Sequence, residues 1–206
     1  DGGYILGGTT GTIFHLDEDY LIIKLDSLGN ISWQKRIGGS GYDILTCIQQ
    51  SSDSGFIVGG YSFSNISGDK TENIIGVGDD YWVVKLDASG NIKWQNTIGG
   101  SGYDYLNSIE QTSDGSYILG GLSNSNISSD KTQNSYGAGD YWVIKLNSTG
   151  SIVWQKTIGG SGGDELISIH QTNDKGYILA GSSNSTISTN PVSGLTPEEI
   201  NPAFCN

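Results

Sequence analysis

The sequence predicts an all-β fold of repeated four-stranded antiparallel sheets. Three observations carry this: a unit of about sixty residues recurs along the chain, its apolar runs lack helical spacing, and turn-forming residues bound each run. The tryptophan of "SWQK", "KWQN" and "VWQK" falls at Trp33, Trp94 and Trp154, and the lysine of "KLD", "KLD" and "KLN" at Lys24, Lys85 and Lys145, both stepping by 61 and then 60. A glycine-rich run recurs four times, starting at Asp1, Asp53, Asp114 and Asp174. Its first step is only 52 residues, and the shortfall of nine lies in one connection, Gly8 to Tyr20 against Gly60 to Tyr81. Length variation confined to one connection marks a surface loop.

Each unit divides into four apolar runs. In one copy these are "YDYLNSIEQT" from Tyr103, "SYILGGL" from Ser116, "DYWVIKL" from Asp140 and "SIVWQKTI" from Ser151, which are assigned as strands A, B, C and D. They are rich in Tyr, Trp, Ile and Val, with Gly, Asn, Asp or Ser at their ends. The A-to-B links ("SDSG", "SDGS", "NDKG") and the C-to-D links ("DSLGN", "DASGN", "NSTGS") carry the residues that close short hairpins, so the four strands make a meander. Along strand C, Trp82, Val84 and Leu86 alternate with Val83 and Lys85, and both faces are largely apolar. A sheet apolar on both faces has to be sandwiched by neighbours. Radial stacking of blades does this for every copy, and the expected architecture is a β-propeller, with Trp33, Trp94 and Trp154 packed between blades.

The expected boundaries are a partial blade at 1–37, blades at 38–98 and 99–158, a partial blade at 159–188, and an irregular tail or linker at 189–206. That is about three blades' worth of strands, below the four to eight of closed propellers. Ring completion is therefore expected from missing sequence or from oligomerisation. The first residue is Asp1, with no initiator methionine or signal peptide in view, and the chain is read as an excised or processed piece.

Composition narrows the partners. Among 206 residues, 22 acidic against 10 basic side chains give a net charge of −12, which repels phosphate backbones and argues against nucleic acid or anionic lipid as the main partner. A cationic partner or a metal ion fits better. No apolar run approaches the roughly 18 to 20 residues of a membrane span. Two cysteines, Cys47 and Cys205, make no disulfide framework; Cys47 takes the place of Ser108 and Ser168 in other copies and reads as a small strand residue.

The pattern "DYWVVKLDASGNIKWQNTIGGSGYDYLNSIEQTSDGSYILGG" resembles the tandem repeats of secreted bacterial β-propeller proteins of the Bacteroidetes type, over roughly residues 1–188. More remotely, "VVKLDASGNIKW" is similar to the strand-turn-strand "LDxxTGxxxW" of quinoprotein-type propellers. The resemblance implies an extracellular or bacterial cell-surface setting and a scaffold, and fixes architecture better than activity.

Function is expected in loops. In the meander, the B-to-C and D-to-A connections emerge on one face. The D-to-A connections end at Asp43, Asp104 and Asp164, expected at the mouth of a central channel. One reading has these carboxylates cap the glycine-rich turn by accepting backbone N–H bonds; the other has them bind a cation or ligand. In the B-to-C loops, Asp69, Thr71 and Asn73, with their twins Asp130, Thr132 and Asn134, place oxygens at i, i+2 and i+4 as calcium loops do, without the sixth-position glycine or the distal glutamate. Calcium is the one cofactor this pattern suggests, and no other is expected. Tyr42, Tyr103 and Tyr136 offer stacking platforms for a glycan.

Of two histidines, His15 lies in the short first loop and His170 on a strand, neither near a recognisable nucleophile. The expected function is thus a non-enzymatic extracellular scaffold or binding module, contacting a surface protein or glycan through its B-to-C and D-to-A loops. The alternatives are a carbohydrate-binding propeller and a piece of a larger secreted enzyme whose catalytic residues lie elsewhere.

Overall fold

A computed structural model describes residues 2–11 and 18–185; the loop with His15 and the tail with Cys205 lie outside the described residues. The described residues form thirteen strands in four sheets and no helix. The first sheet holds β1 (Tyr4–Thr10), β2 (Asp19–Leu25) and β3 (Ile31–Ile37). The second holds β4 (Asp43–Gln50), β5 (Phe56–Ser62), β6 (Asp80–Leu86) and β7 (Ile92–Ile98). The third repeats this as β8 (Asp104–Gln111), β9 (Tyr117–Ser123), β10 (Asp140–Leu146) and β11 (Ile152–Ile158). The fourth pairs β12 (Asp164–Gln171) with β13 (Tyr177–Ser183). All ladders are antiparallel and every sheet runs in chain order.

Turn chemistry sets this order locally. Between β6 and β7, Asp87 Oδ1 accepts from the N–H groups of Ser89 and Asn91, each at 2.9 Å, while Gly90 takes a φ of 78° that a side chain would resist. Asp26 does the same between β2 and β3, and Asn147 between β10 and β11. After β4, Asp53 Oδ1 accepts from Gly55 N–H at 3.0 Å and its carboxylate pairs with Lys85 of β6 at 2.9 Å, so the repeated lysine anchors the neighbouring hairpin.

The paired glycines of the "YILGG" run have two separate duties. A methyl group on Gly60 would collide with the Ile44 carbonyl of the same sheet, where the β4–β5 register shifts between Leu45 and Cys47. A methyl group on Gly59 would press on Leu106, which comes from the next sheet. The first glycine admits a neighbour's leucine and the second admits a bulge.

Packing runs between consecutive sheets: β1 and β2 lie on β4, β5 and β6 on β8, and β9 and β10 on β12. Strand β6 divides its side chains between two cores. Trp82, Val84 and Leu86 join Tyr20, Ile22, Phe56 and Val58 on one side, whereas Tyr81 and Val83 join Leu106, Leu119, Trp142 and Ile144 on the other. Trp33, Trp94 and Trp154 meet Phe56, Tyr117 and Tyr177 of the following sheet edge to face, at 5.7, 5.9 and 5.7 Å between ring centres. The tryptophan repeat is thus a set of inter-sheet contacts.

Candidate functional site

The three aspartates of the D-to-A connections are tied into their own turns. Oδ2 of Asp43, Asp104 and Asp164 accepts from the N–H of Gly39, Gly100 and Gly160 at 2.7, 2.8 and 2.8 Å. The same oxygens accept from the hydroxyls of Ser64, Ser125 and Ser185 at 2.9, 3.0 and 2.7 Å, which ties each turn to the loop that follows the sheet's second strand. All three aspartates are buried, and burial pushes the Asp43 and Asp104 carboxyls up.

The two long loops fold by the same rules. Oδ1 of Asn73 and of Asn134 accepts from the N–H of Ile66 and Ile127 at 3.0 and 2.9 Å. Oδ2 of Asp69 and of Asp130 faces the N–H of Gly38 and Gly99 at 3.4 and 3.2 Å, and the N–H groups of Thr71 and Thr132 reach Gln95 and Gln155. The aspartate and asparagine oxygens in each loop are thus directed at separate backbone segments. Among the described residues no group of three His, Cys, Asp or Glu side chains is placed to hold a metal ion.

Between these positions each loop carries a buried lysine. Lys70 and Lys131 are 1% exposed, donate to Thr97 and Thr157 Oγ1 at 2.5 Å, and lie 5.1 and 5.3 Å above the rings of Trp82 and Trp142. Burial pushes both ammonium groups down to about 8, against the opposing pull of Asp43 and Asp80 on Lys70 and of Asp104 and Asp140 on Lys131. Burial likewise pushes Asp80 up to about 8, with the carboxylates of Asp104 and Asp130 adding to it. Each complete sheet therefore carries one buried cation among buried carboxylates at its loop end. Sequence reasoning passed over these lysines because a "DKT" triplet in a polar loop reads as solvated.

One open cleft lies where the first three sheets meet, with a volume of 330 Å³ and walls of Glu18, Tyr42, Ile44, Tyr61, Asp79 and Tyr105. Glu18 and Asp79 immediately precede β2 and β6, and their carbonyls accept from the N–H of Asp43 and Asp104 at 2.6 and 2.7 Å. Asp79 is 2% exposed and its Oδ1 is buried without a hydrogen-bond partner. Burial pushes the phenols of Tyr42, Tyr105 and Tyr61 up; the hydrogen bonds that Tyr42 and Tyr105 make to Asp79, and the charge of Asp79 on all three, add to it. The rings are ordered as well: Tyr61 meets Tyr105 edge to face at 4.8 Å, Tyr103 stacks beside Tyr105 at 6.2 Å, and Tyr42 stacks on Phe63 at 5.4 Å. Tyr42 thus lines the cleft and Tyr103 stacks beside its wall residue Tyr105 without lining it, whereas Tyr136 is on the third sheet's loop, outside the cleft.

The positions that line the cleft differ among the copies. Glu18 and Asp79 are matched by Gly139 in the third copy, Tyr42 and Tyr103 by Gly163, Tyr61 by Leu122 and Ser182, and Tyr105 by Ile44 and Glu165. Neighbouring positions such as Asp80 and Asp104 keep their identity in every complete sheet. Variation among the copies of one chain was the signal that could have found the pair Glu18 and Asp79.

His170, read as remote from any nucleophile, in fact joins two groups: its Nδ1 is 2.7 Å from Glu110 Oε2 and its Nε2 3.1 Å from Ser168 Oγ. The strand separation in sequence, 60 residues between His170 and Glu110, hid this contact, which stacking of consecutive sheets creates. Cys47 Sγ lies 3.4 Å from the Gly59 carbonyl, and burial pushes its thiol up to about 12, away from thiolate chemistry. No protein-family model and no curated protein matches the chain.

Proposed function

We propose that the chain is a non-enzymatic binding scaffold built of propeller-type blades, acting at a bacterial cell surface or outside the cell, and that its ligand face is the cleft between the first three sheets. The observation that carries this is the division of labour within the repeat. Positions that recur are occupied with turns, bulges and inter-sheet contacts, and the cleft is lined by positions that differ among the copies. The stacking of sheets in chain order, with the leading strands β4, β8 and β12 side by side, supports the propeller-type arrangement; the resemblance to secreted repeats supports the setting. Among the described residues no helix is long and apolar enough to cross a membrane.

A glycan is the second reading, favoured by Tyr103, which is 44% exposed and stacks beside Tyr105 as a sugar platform does. The test is an oligosaccharide array and a peptide library presented to the protein and to its Tyr105→Ala variant, with Leu28→Ser, a change at an exposed hairpin, as control. Binding that disappears in Tyr105→Ala and persists in Leu28→Ser supports the proposal. Binding that survives Tyr105→Ala, or two blank arrays, overturns it.

A further inference from the structure

The cleft combines two carboxylates, Glu18 and Asp79, with aromatic walls. Asp79 is almost wholly buried and hydrogen-bonds to the phenols of Tyr42 and Tyr105, its Oδ1 has no donor, and among the described residues no Lys, Arg or His forms an ion pair with it. A buried carboxylate held only by neutral phenols keeps its charge uncompensated, and that cost falls when a cation with N–H donors arrives. Elsewhere in the fold a buried cation stands near the buried aspartates, Lys70 by Asp43 and Asp80 and Lys131 by Asp104 and Asp140, although Oδ1 of these four likewise has no donor. Lys70 and Lys131 lie over tryptophan faces; Asp79 has tyrosines around it and space in front of it.

A neutral sugar would supply hydroxyl donors and would leave the charge uncompensated. An alkylammonium group supplies both charge and donors, and the faces of Tyr42, Tyr61 and Tyr105 suit its methylene stem and its positive charge. A net charge of −12 on the chain favours the approach of cations over anions.

We propose that this cleft binds an organic ammonium group, the end of a lysine side chain or of a free amine, held by the Asp79 carboxylate with Glu18 beside it and by the rings of Tyr42, Tyr61 and Tyr105. The proposal rests on the binding-scaffold reading above and names the ligand class for that site.

The experiment is a titration of the protein followed by two-dimensional NMR of the tyrosine rings. The probes are n-butylammonium, N-acetyl-lysine methylamide, n-butanol and methyl glucoside. Butylammonium is expected to shift the rings of Tyr42, Tyr61 and Tyr105 saturably, and butanol is expected to leave them in place. Asp79→Asn is expected to weaken binding about tenfold or more, the equivalent of roughly 1.4 kcal/mol. Glu18→Gln, at a half-buried position that tolerates the change more readily, is expected to weaken it severalfold. Raising salt from low to high ionic strength is expected to weaken it as well.

Comparable binding of the lysine derivative and butylammonium assigns the site to protein side chains; binding of butylammonium alone assigns it to free amines. Equal shifts with butanol and butylammonium overturn the proposal. So does unchanged affinity in both Asp79→Asn and Glu18→Gln, each checked for a native melting curve. Shifts with methyl glucoside while the amines are silent overturn the ammonium assignment and leave the binding scaffold standing. Blank arrays in the preceding test would remove the scaffold reading itself.

Discussion

The hydroxyl of Tyr81 donates to the backbone carbonyl of Trp142 at 3.2 Å, across the boundary between the second and third sheets. Tyr20 does the same to Trp82 at 2.9 Å, one sheet earlier. In both pairs the rings also touch, at 5.1 and 4.8 Å between centres. Tyr81→Phe keeps the ring contact and removes the hydroxyl, so it should lower stability by about 1 kcal/mol. Tyr20→Phe should do the same. The boundaries are separate, and urea unfolding of the double variant should return close to the sum of the two losses.

Gly60 and Gly8 hold the same place in their repeats with opposite surroundings. A methyl group on Gly60 meets the Ile44 carbonyl, while one on Gly8 meets nothing within 4 Å. Gly60→Ala is expected to cost about 1 to 3 kcal/mol, and Gly8→Ala to stay within about 0.5 kcal/mol of the parent. Equal melting temperatures for the two variants would contradict the close approach of β4 to β5.

Asp80 gives the fold a pH dependence of definite sign. Its folded-state value, pushed up to about 8 by burial, lies above the ordinary value of 3.8, so the folded chain holds this proton more tightly than the unfolded chain. The associated stability is fully present below about pH 4 and is lost as pH rises towards 8. Lys70, pushed down to about 8, acts in the opposite sense above that pH, where its early loss of a proton favours the folded state. Asp80→Asn should therefore gain on the parent protein as pH climbs from 4 to 8, by on the order of 1 to 2 kcal/mol. Denaturant unfolding at pH 4, 6 and 8 measures it, and a difference that does not grow with pH would count against the assignment.

Ser168, His170 and Glu110 stand in line as hydroxyl, imidazole and carboxylate. His170 is 67% exposed, and all three residues lie outside the cleft on sheet strands. A nucleophile also needs donors fixed at the point where negative charge develops, in a site shielded from water. A fluorophosphonate probe is therefore expected to leave Ser168 unlabelled by mass spectrometry. Labelling that vanishes in His170→Gln would show a catalytic serine.

Much of the fold was legible because turn chemistry and repeat spacing coincide. Asp87 with Gly90, and Asp53 with Gly55, are short-range signals, and the alternation along Trp82 to Leu86 describes a two-sided strand before any coordinate is known. The site was less legible. Lys70 and Lys131 are polar residues in polar loops, and their burial follows only from the way each loop folds back over a tryptophan. Asp79 sits beside Asp80 in the chain, yet one belongs to the recurring framework and the other to the cleft. Both are acidic, and only the comparison with Gly139 separates them. The contact of His170 with Glu110 is likewise a product of sheet stacking, to which no local pattern points.

The division of β6 between two cores reaches beyond packing. Val83 and Val84 are successive residues, yet each belongs to a different interior, so the second sheet cannot loosen without disturbing both neighbours. Opening is thereby coupled from sheet to sheet as in a one-dimensional array. Amide protons of β5 and β6 should be the last to exchange with solvent, and those of β13 among the first. A ligand seated against Tyr42, Tyr61 and Tyr105 would touch residues from successive sheets at once. Its signature would be a slowing of exchange that travels along the array, well past the residues it contacts.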